Sequence, residues 1–353
     1  FIDMKIFEAI NLMCFRLPLD RGKQSFLETL QDEFQWYLSL LQKIDDNDFN
    51  ILFKNEGSPK VKDLTKRKFI TFITRIQHSL DHVVKAYYEG YPDKAYKKLE
   101  NLLHRNKFVS MRQGARGSYA NRYINESLGN FFKLDWKGNP VDLYRMRISK
   151  DPLTKEELFH VPFNMRERVA TARFSISGFP CLYFGTSLRV CWNEIKRDLK
   201  VDERVYACRY QNKKSISLVN LTIPSECAET VLETNAYSAF CFLVTYPFYL
   251  SCLMKVAHPD FSFKPEYIIP QLLLQYIKKE GMLDGIIYSS TKDRKLVGEK
   301  YYNIVIPARK MATTGHCHVA KACFHTTKSI LVDQKKLDFS ENELNLLSIS
   351  ELV

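Results

Sequence analysis

The chain has 353 residues, of which 45% are hydrophobic, and it carries a net charge of +12 at pH 7. The ordinary apolar content excludes a disordered chain, and since one core seldom grows beyond about 250–300 residues, the length predicts two domains. The basic charge suits a dinucleotide pyrophosphate, a nucleic acid or an acidic protein equally well, so it selects none of these partners.

The cysteines and the most apolar segment indicate in which cellular compartment the protein folds. Nine cysteines are scattered without a Cys-x-x-Cys pair, which is typical of reduced, buried thiols and predicts a cytoplasmic protein. No secretory signal is visible, and the start at Phe1 rather than Met leaves room for a preceding piece. Residues 234–254 carry no charge, but Pro247 and dispersed aromatic residues predict a buried helix and strand rather than a membrane span.

The first predicted elements are amphipathic helices. Apolar residues recur at helical spacing over residues 24–44 and 60–88, and a further helix is predicted over 93–103. We therefore expect an all-α domain over residues 1–111.

The pattern then changes to a linker and short strands. Residues 112–130 are rich in Gly, Ser and Asn, which predicts a linker that we place over 112–134. We expect a second domain over 135–330 and a C-terminal extension over 331–353. The predicted strands are 142–148, 205–210, 215–220, 285–288, 302–307 and 329–332.

Charged and aromatic residues that could form a site are concentrated in residues 169–195 of this second domain. A strand around Arg173 is followed by a Ser-Gly-Phe-Pro turn and a short apolar strand that contains Tyr183. Thr186 or Ser187 can cap the next helix, which carries Glu194. An Arg, a Tyr and a Glu at these intervals indicate a site at the ends of strands.

This block is one of five pieces that resemble the RES domain family in content and order. The resemblance spans about residues 135–325 and implies an α+β fold, with a split antiparallel sheet of the ADP-ribosyltransferase type behind the all-α domain. It also implies NAD as a substrate and no cofactor, and the sequence has no Gly-rich phosphate loop or Rossmann fingerprint. The five pieces are 143–145, 160–163, 173–194, 266–271, and 283–290 with 303–307 behind it.

The resemblance implies cleavage of the bond between nicotinamide and ribose. Positive charge grows on the ribose during this reaction, and a nearby carboxylate would stabilise it, so Glu194 is a catalytic candidate. A pyrophosphate favours a guanidinium, which grips two oxygens at once. Arg145 matches the family's first Arg and is preferred as catalytic over Arg147 on the same strand face, and Arg173 is the second cation of the substrate site.

Aromatic and hydroxyl groups complete the expected site. Tyr183 stands where the family places a ring that stacks on nicotinamide. Tyr144 either lines the adenosine end or packs in the core, and Tyr288 is grouped with the substrate-binding residues. Ser290 is the third catalytic candidate and is preferred over Ser289, because the family pattern has one residue between Tyr and Ser.

Two further constellations carry less weight. The helical segment loosely resembles HEPN-type domains, whose ribonucleases pair an Arg with a His, and Arg75 and His82 occur in that order. Ile76 stands where a polar residue is usual, so a helical scaffold or partner-binding surface is favoured. The His and Cys residues within 316–325 match no common zinc spacing, so no metal is expected.

The resulting hypothesis is an NAD glycohydrolase or phosphorylase that acts as a toxin or anti-phage defence effector. Its control would come from an Xre-like antitoxin, another regulatory protein or the helical domain. The alternatives are ADP-ribosyl transfer to a protein or nucleic acid, and a catalytically silent module that binds NAD or a partner. Trp192 occupies the position where transferases often carry a second carboxylate, which favours the glycohydrolase. Nucleic-acid binding through the basic helical domain and a homo-oligomer stay open; no membrane partner is expected.

Overall fold

The computed structural model describes residues 4–54, 65–105, 132–134, 141–223, 236–281, 283–293 and 301–352. The described helices are α1 (Ile6–Arg16), α2 (Phe26–Lys43), α3 (Asp46–Lys54), α4 (Lys66–Tyr88), α5 (Pro92–Arg105), α6 (Leu188–Ile195), α7 (Ala236–Cys252), α8 (Ile268–Glu280), α9 (His318–Lys321) and α10 (Leu337–Leu346). The described strands are β1 (Phe132–Leu134), β2 (Asp142–Ser149), β3 (Cys181–Gly185), β4 (Arg204–Asn212), β5 (Ile216–Leu221), β6 (Gly285–Ser289), β7 (Tyr302–Pro307), β8 (Phe324–Thr326), β9 (Ile330–Leu331) and β10 (Ser350–Glu351).

The chain divides into two compact units. The helical unit comprises Phe1–Phe131 and Ile223–Tyr276, and the sheet unit comprises Phe132–Thr222 and Ile277–Val353. An N-terminal helical region followed by an α+β region is the predicted fold class, and the structure confirms it at this level.

The helices of the helical unit follow the apolar periodicity of the sequence. α2 begins at a capping box, in which the Ser25 hydroxyl accepts from the Glu28 amide and the Glu28 carboxylate accepts from the Ser25 amide. α4 begins after Thr65, whose side chain accepts from the Lys68 amide. Helices α2, α4 and α5 confirm those predicted over 24–44, 60–88 and 93–103; residues 60–64 lie outside the described part of the chain.

Within the charge-free segment, Ala236–Cys252 form helix α7 and Met254 makes one isolated bridge with Leu19, so the strand predicted there is wrong for the described residues. The helix is anchored by two buried tyrosines: the Tyr37 hydroxyl donates to the Leu243 carbonyl at 2.6 Å, and the Tyr246 hydroxyl donates to the Met13 carbonyl at 3.0 Å. Among the described helices, none combines the length and the apolarity that crossing a bilayer requires.

The two units differ from the predicted domain boundaries in two places. Residues 223–276, which include α7 and the piece 266–271, group with the helical unit rather than with the domain predicted over 135–330. Residues 331–353, predicted as an extension, contribute α10 and β10 to the sheet unit. The reason for the first difference is that an apolar helix must bury its whole circumference, and the sequence does not reveal which unit covers it. Most of the predicted linker over 112–134 lies outside the described residues, and 132–134 form β1.

The sheet unit is built on one mixed sheet. Its described strands run in the order β1-β5-β6-β7-β3-β2-β4-β8-β10, with β9 also paired to β4. Neighbours β5 and β6 are parallel, so the sheet is not purely antiparallel as predicted; the long helical connection between these strands allows the parallel pairing. β2 and β3 are joined at one residue pair, Tyr144 with Gly185, and this short junction corresponds to the predicted split.

Strand alternation separates two cores on the two faces of this sheet. One core, on the face that we call the inner face, contains Leu143, Phe184 and Ile304. The other core, on the α6 face, contains Tyr144 and residues of α6 and is closed by α10. The strand predicted around Arg173 is wrong: there the structure has one isolated bridge, between Ile176 and Phe179, across a turn in which Gly178 adopts a φ of 65°.

Removal of a buried charge should test the packing of the helical unit. Arg21 Nε lies 2.8 Å from Glu266 Oε1, with side-chain exposures of 9% and 1%. Arg21→Ala leaves the buried Glu266 carboxylate without its counter-ion, so we expect the free energy of unfolding to fall by about 3–5 kcal/mol in urea titrations. Lys255→Ala, which breaks the exposed pair with Asp20, should lower the free energy of unfolding by less than about 1 kcal/mol. Equal losses in the two variants would show that burial of the Arg21–Glu266 pair does not matter for stability.

A second prediction concerns acid stability of the sheet unit. His160 is buried, its Nδ1 lies 2.7 Å from the Val161 carbonyl oxygen, and its Nε2 accepts from the Cys317 amide at 2.8 Å. Both contacts suit the neutral ring, and burial lowers the pKa of His160 to about 4. The unfolded chain takes up this proton near pH 6.5 and the folded chain only near pH 4, so stability should decline by up to about 3 kcal/mol as the pH falls between these values.

His160→Gln should reduce this decline in unfolding free energy between pH 7 and pH 4.5. Burial also lowers the pKa of the neighbouring His316, so part of the acid sensitivity should persist in the variant. An unchanged pH dependence in the variant would show that His160 is not the responsible group.

Candidate active site

Helix α6 carries Glu194 and is fixed at its first turn. β3 ends at Gly185, and the side chain of Ser187 accepts from the Val190 amide at 3.2 Å, which settles the predicted choice between Thr186 and Ser187. Glu341 Oε2 accepts from the Leu188 amide at 2.6 Å and adds a second cap from α10. Both caps fix the first turn of α6. Glu194 lies in the last turn of this short helix, so the caps also fix its position.

The carboxylate of Glu194 is held by neutral donors on one oxygen. Glu194 Oε1 accepts from Ser290 Oγ and from Asn303 Nδ2, each at 2.8 Å. Lys292 Nζ donates to the Glu194 backbone carbonyl and lies 3.7 Å from Oε2. The Glu194 side chain is 30% exposed, so the fixed carboxylate is partly open to solvent.

Ser290 sits immediately after β6 and is almost fully buried. Besides donating to Glu194, its hydroxyl oxygen is approached by Asn193 Nδ2 and by the Lys292 amide, both at 3.3 Å. Ser289, the last residue of β6, shares its strand face with Ile287 of the inner core. The structure thus brings Ser290 and Glu194, two of the sequence candidates, into direct contact.

Three more candidates, Arg173, Tyr183 and Tyr288, are linked by contacts of residues 173 and 174. Arg173 is buried, and its Nη2 donates to Thr291 Oγ1 at 3.0 Å, one residue after Ser290. The neighbouring Phe174 ring contacts the ring of Tyr288 at 4.6 Å between centroids, and the Phe174 carbonyl accepts from the Tyr183 hydroxyl at 3.0 Å. Arg173 therefore contacts the residues just after β6, and the adjacent Phe174 contacts Tyr183 and Tyr288.

The pairing register of the strands places these groups on the α6 face. Tyr183 is opposite Val305, and Tyr288 is opposite Asn303, which in turn pairs with Gly185. Opposite residues of paired strands share a face. Burial raises the pKa of the Tyr183 hydroxyl well above its usual value, so this group is a neutral donor at physiological pH.

Arg145 lies on the other side of the sheet. It is paired with Cys208, a residue of the inner core, and its Nη1 donates to the Tyr183 carbonyl at 3.3 Å across the junction of β2 and β3. Burial lowers the pKa of Arg145, and its buried Nε has no hydrogen-bond partner in the described part of the chain. Arg147, the alternative, donates to the Glu157 carbonyl at 2.7 Å. The structure therefore places Arg145 against the backbone of Tyr183 and does not show it in contact with Glu194.

Tyr144 packs beneath α6. Its hydroxyl donates to Asn345 Oδ1 at 2.6 Å, and its carbonyl accepts from the Cys191 thiol at 3.2 Å. Burial raises the pKa of Tyr144 above its usual value. Of the two positions that the sequence leaves open for Tyr144, the structure shows the packed one.

Sequence reasoning missed four residues that contact the site: Asn303, Lys292, Thr291 and Phe174. Asn303 is the polar residue near the start of the otherwise apolar strand β7, and this could have identified it. The other three adjoin Ser290 or Arg173 in sequence and carry no separate signal. The donors around Glu194 are hydroxyl, amide and ammonium groups, an arrangement suited to fixing an anion.

Comparisons with known proteins identify the family of this chain. A family model described as the RES domain matches residues 142–321. The chain is 29% identical over 275 residues to a Bacillus subtilis (strain 168) protein named "Putative toxin YopC", and the match covers 74% of this chain and 59% of that protein. The chain thus spans less than two thirds of the length of this relative. No solved structure matches the chain. The family match covers about half of the chain, including Arg173, Glu194, Ser290 and Asn303, and the chain belongs to the RES domain family.

Proposed function

We propose that this protein consumes NAD by cleaving the bond between nicotinamide and ribose, with water or phosphate as acceptor. The observation that carries the proposal is the Glu194 carboxylate, which Ser290 and Asn303 fix through one oxygen while the side chain stays 30% exposed. RES family membership and a relative named as a toxin support a toxin-like role linked to NAD.

The reaction breaks the glycosidic C–N bond, and its electron pair leaves with nicotinamide. Positive charge then develops on the ribose carbon and ring oxygen, and an adjacent carboxylate stabilises that charge electrostatically. Water or phosphate supplies an oxygen to the same carbon, and water loses a proton in doing so. The fixed Glu194 carboxylate is the group that we assign to the sugar cation.

The remaining candidates provide binding groups for the rest of NAD. Lys292 lies 3.7 Å from Glu194 Oε2, and Arg173 binds Thr291 beside Ser290, so both cations can attract the pyrophosphate. Tyr183 and Tyr288 present rings on the same face as Asn303, which suits a flat nicotinamide. Arg145, on the opposite face of the sheet, supports the strand that carries Tyr183 by binding the Tyr183 carbonyl.

Transfer of ADP-ribose to a macromolecule is a weaker candidate. Trp192 occupies the position two residues before Glu194, and it packs against the core on the α6 face. A packed indole offers no carboxylate to engage an acceptor, so we favour water or phosphate. Control of such an activity in the cytoplasm would require an inhibitor, and an antitoxin of the Xre-like kind is the partner that we propose.

The first prediction of this proposal concerns the charge of Glu194. Glu194→Gln keeps the side-chain size and removes the negative charge, so we expect nicotinamide release from NAD to fall by about 100-fold or more. Free nicotinamide and ADP-ribose, or its phosphate, should be followed by chromatography. Glu343→Gln, an exposed substitution on α10 with the same charge change, should retain activity. Absence of nicotinamide release by the parent chain in phosphate buffer would contradict the proposal.

The second prediction separates the two adjacent serines. Ser290→Ala removes a hydrogen bond to a charged group, a loss of about 1.5–3 kcal/mol, so we expect kcat to fall by about 10- to 150-fold. Ser289→Ala, on the other strand face, should leave kcat near that of the parent. Equal effects of both substitutions would show that the loop is needed for folding and that Ser290 has no separate role.

A further inference from the structure

The exposed face of α4 is a continuous cationic surface. Its exposed side chains recur with helical spacing and therefore lie on one side of the helix. The acid within α4, Asp81, is buried and bound to Lys85 and Gln31, so it adds no exposed negative charge. This face, which we call the α4 face, consists of Arg67, Lys68, Thr71, Thr74, Arg75, His78, His82 and Lys85.

The two arginines of the α4 face are available for a ligand. In the described ranges no carboxylate lies within ion-pair distance of Arg67 or Arg75. Lys98 of α5 adds a further positive charge beside His82, where it helps to lower the pKa of that ring after the larger effect of burial. From Arg67 to Lys85 the surface extends about 27 Å along the helix.

An exposed aromatic group stands at the end of the α4 face. Tyr88, the last residue of α4, is 44% exposed, and Tyr91 and Phe263 are 45% and 52% exposed. The Phe263 ring is stacked on Tyr87 at 6.2 Å and meets Tyr88 edge-on at 6.4 Å. Lys94 Nζ lies 3.8 Å from the centre of the Tyr91 ring. Aromatic rings left in water at the end of a cationic surface indicate a partner with both anionic and flat groups.

We propose that the α4 face and this aromatic group bind single-stranded nucleic acid. The cations would neutralise successive phosphates, and the exposed rings would stack on unpaired bases, which are the two elements of such sites. A duplex keeps its bases stacked inside, and a plain polyanion has no flat groups to stack on the rings. The surface lies wholly in the helical unit, so the proposal is independent of the NAD reaction.

The test is fluorescence anisotropy with the full chain and labelled oligouridylate or oligothymidylate of about 15 nucleotides. The double variant Arg67→Glu/Arg75→Glu should weaken binding by at least tenfold, and the dependence of affinity on salt should become shallower by about 0.7 for each lost phosphate contact. The control Lys328→Glu/Lys335→Glu changes the net charge equally at exposed positions of the sheet unit and should leave affinity near that of the parent.

The aromatic group is tested with Phe263→Ala. This variant should lose about fivefold or more in affinity for the oligonucleotide and nothing for long-chain polyphosphate, which has charge without bases. Equal losses in both charge-reversal variants would overturn the proposal, because net charge alone would then explain binding. Equal affinity for polyphosphate or for duplex, with no effect of Phe263→Ala, would overturn it as well and leave a general polyanion surface.

Discussion

The candidate site depends on the close approach of α6 to β3 at Gly185. A Cβ atom at this position would lie 2.6 Å from Cys191 Sγ and 3.0 Å from the Ser187 carbonyl, and it would also overlap Val190. Any other residue there would force the Val190 and Cys191 side chains, or the helix itself, to shift. Gly185 is also the residue that joins β3 to β2 and pairs with Asn303 of β7. One small residue therefore fixes both the helix that carries Glu194 and the strand that carries its amide donor.

The short junction between β2 and β3 has a second consequence. Beside this junction, Arg145 Nη1 donates to the Tyr183 carbonyl at 3.3 Å. Burying an unpaired cation is costly, and the lowered pKa of Arg145 reflects this cost. A backbone carbonyl thus holds this guanidinium inside the sheet unit, on the face opposite to Glu194.

Much of the site could be predicted from the sequence, because the order of short motifs identifies Arg173, Tyr183, Glu194 and Ser290 before any contact is known. The structure adds that Ser290 touches Glu194 and that Arg173 reaches the same loop. Asn303 was missed because its role follows from the β3–β7 register, which the sequence does not reveal. The placement of α7 failed for a related reason: its apolar pattern predicts burial but not the unit that supplies the covering surface.

The electrostatics of Glu194 explain why neutral donors matter. A guanidinium bound to both carboxylate oxygens would satisfy the charge in the resting site and leave less of it for a developing sugar cation. Here Ser290 and Asn303 fix one oxygen without neutralising it. The nearest ammonium, on Lys292, is 52% exposed and 3.7 Å from the other oxygen, so solvent screens it. Different groups thus supply orientation and charge, and the carboxylate stays positioned and available for the ribose of the proposed reaction.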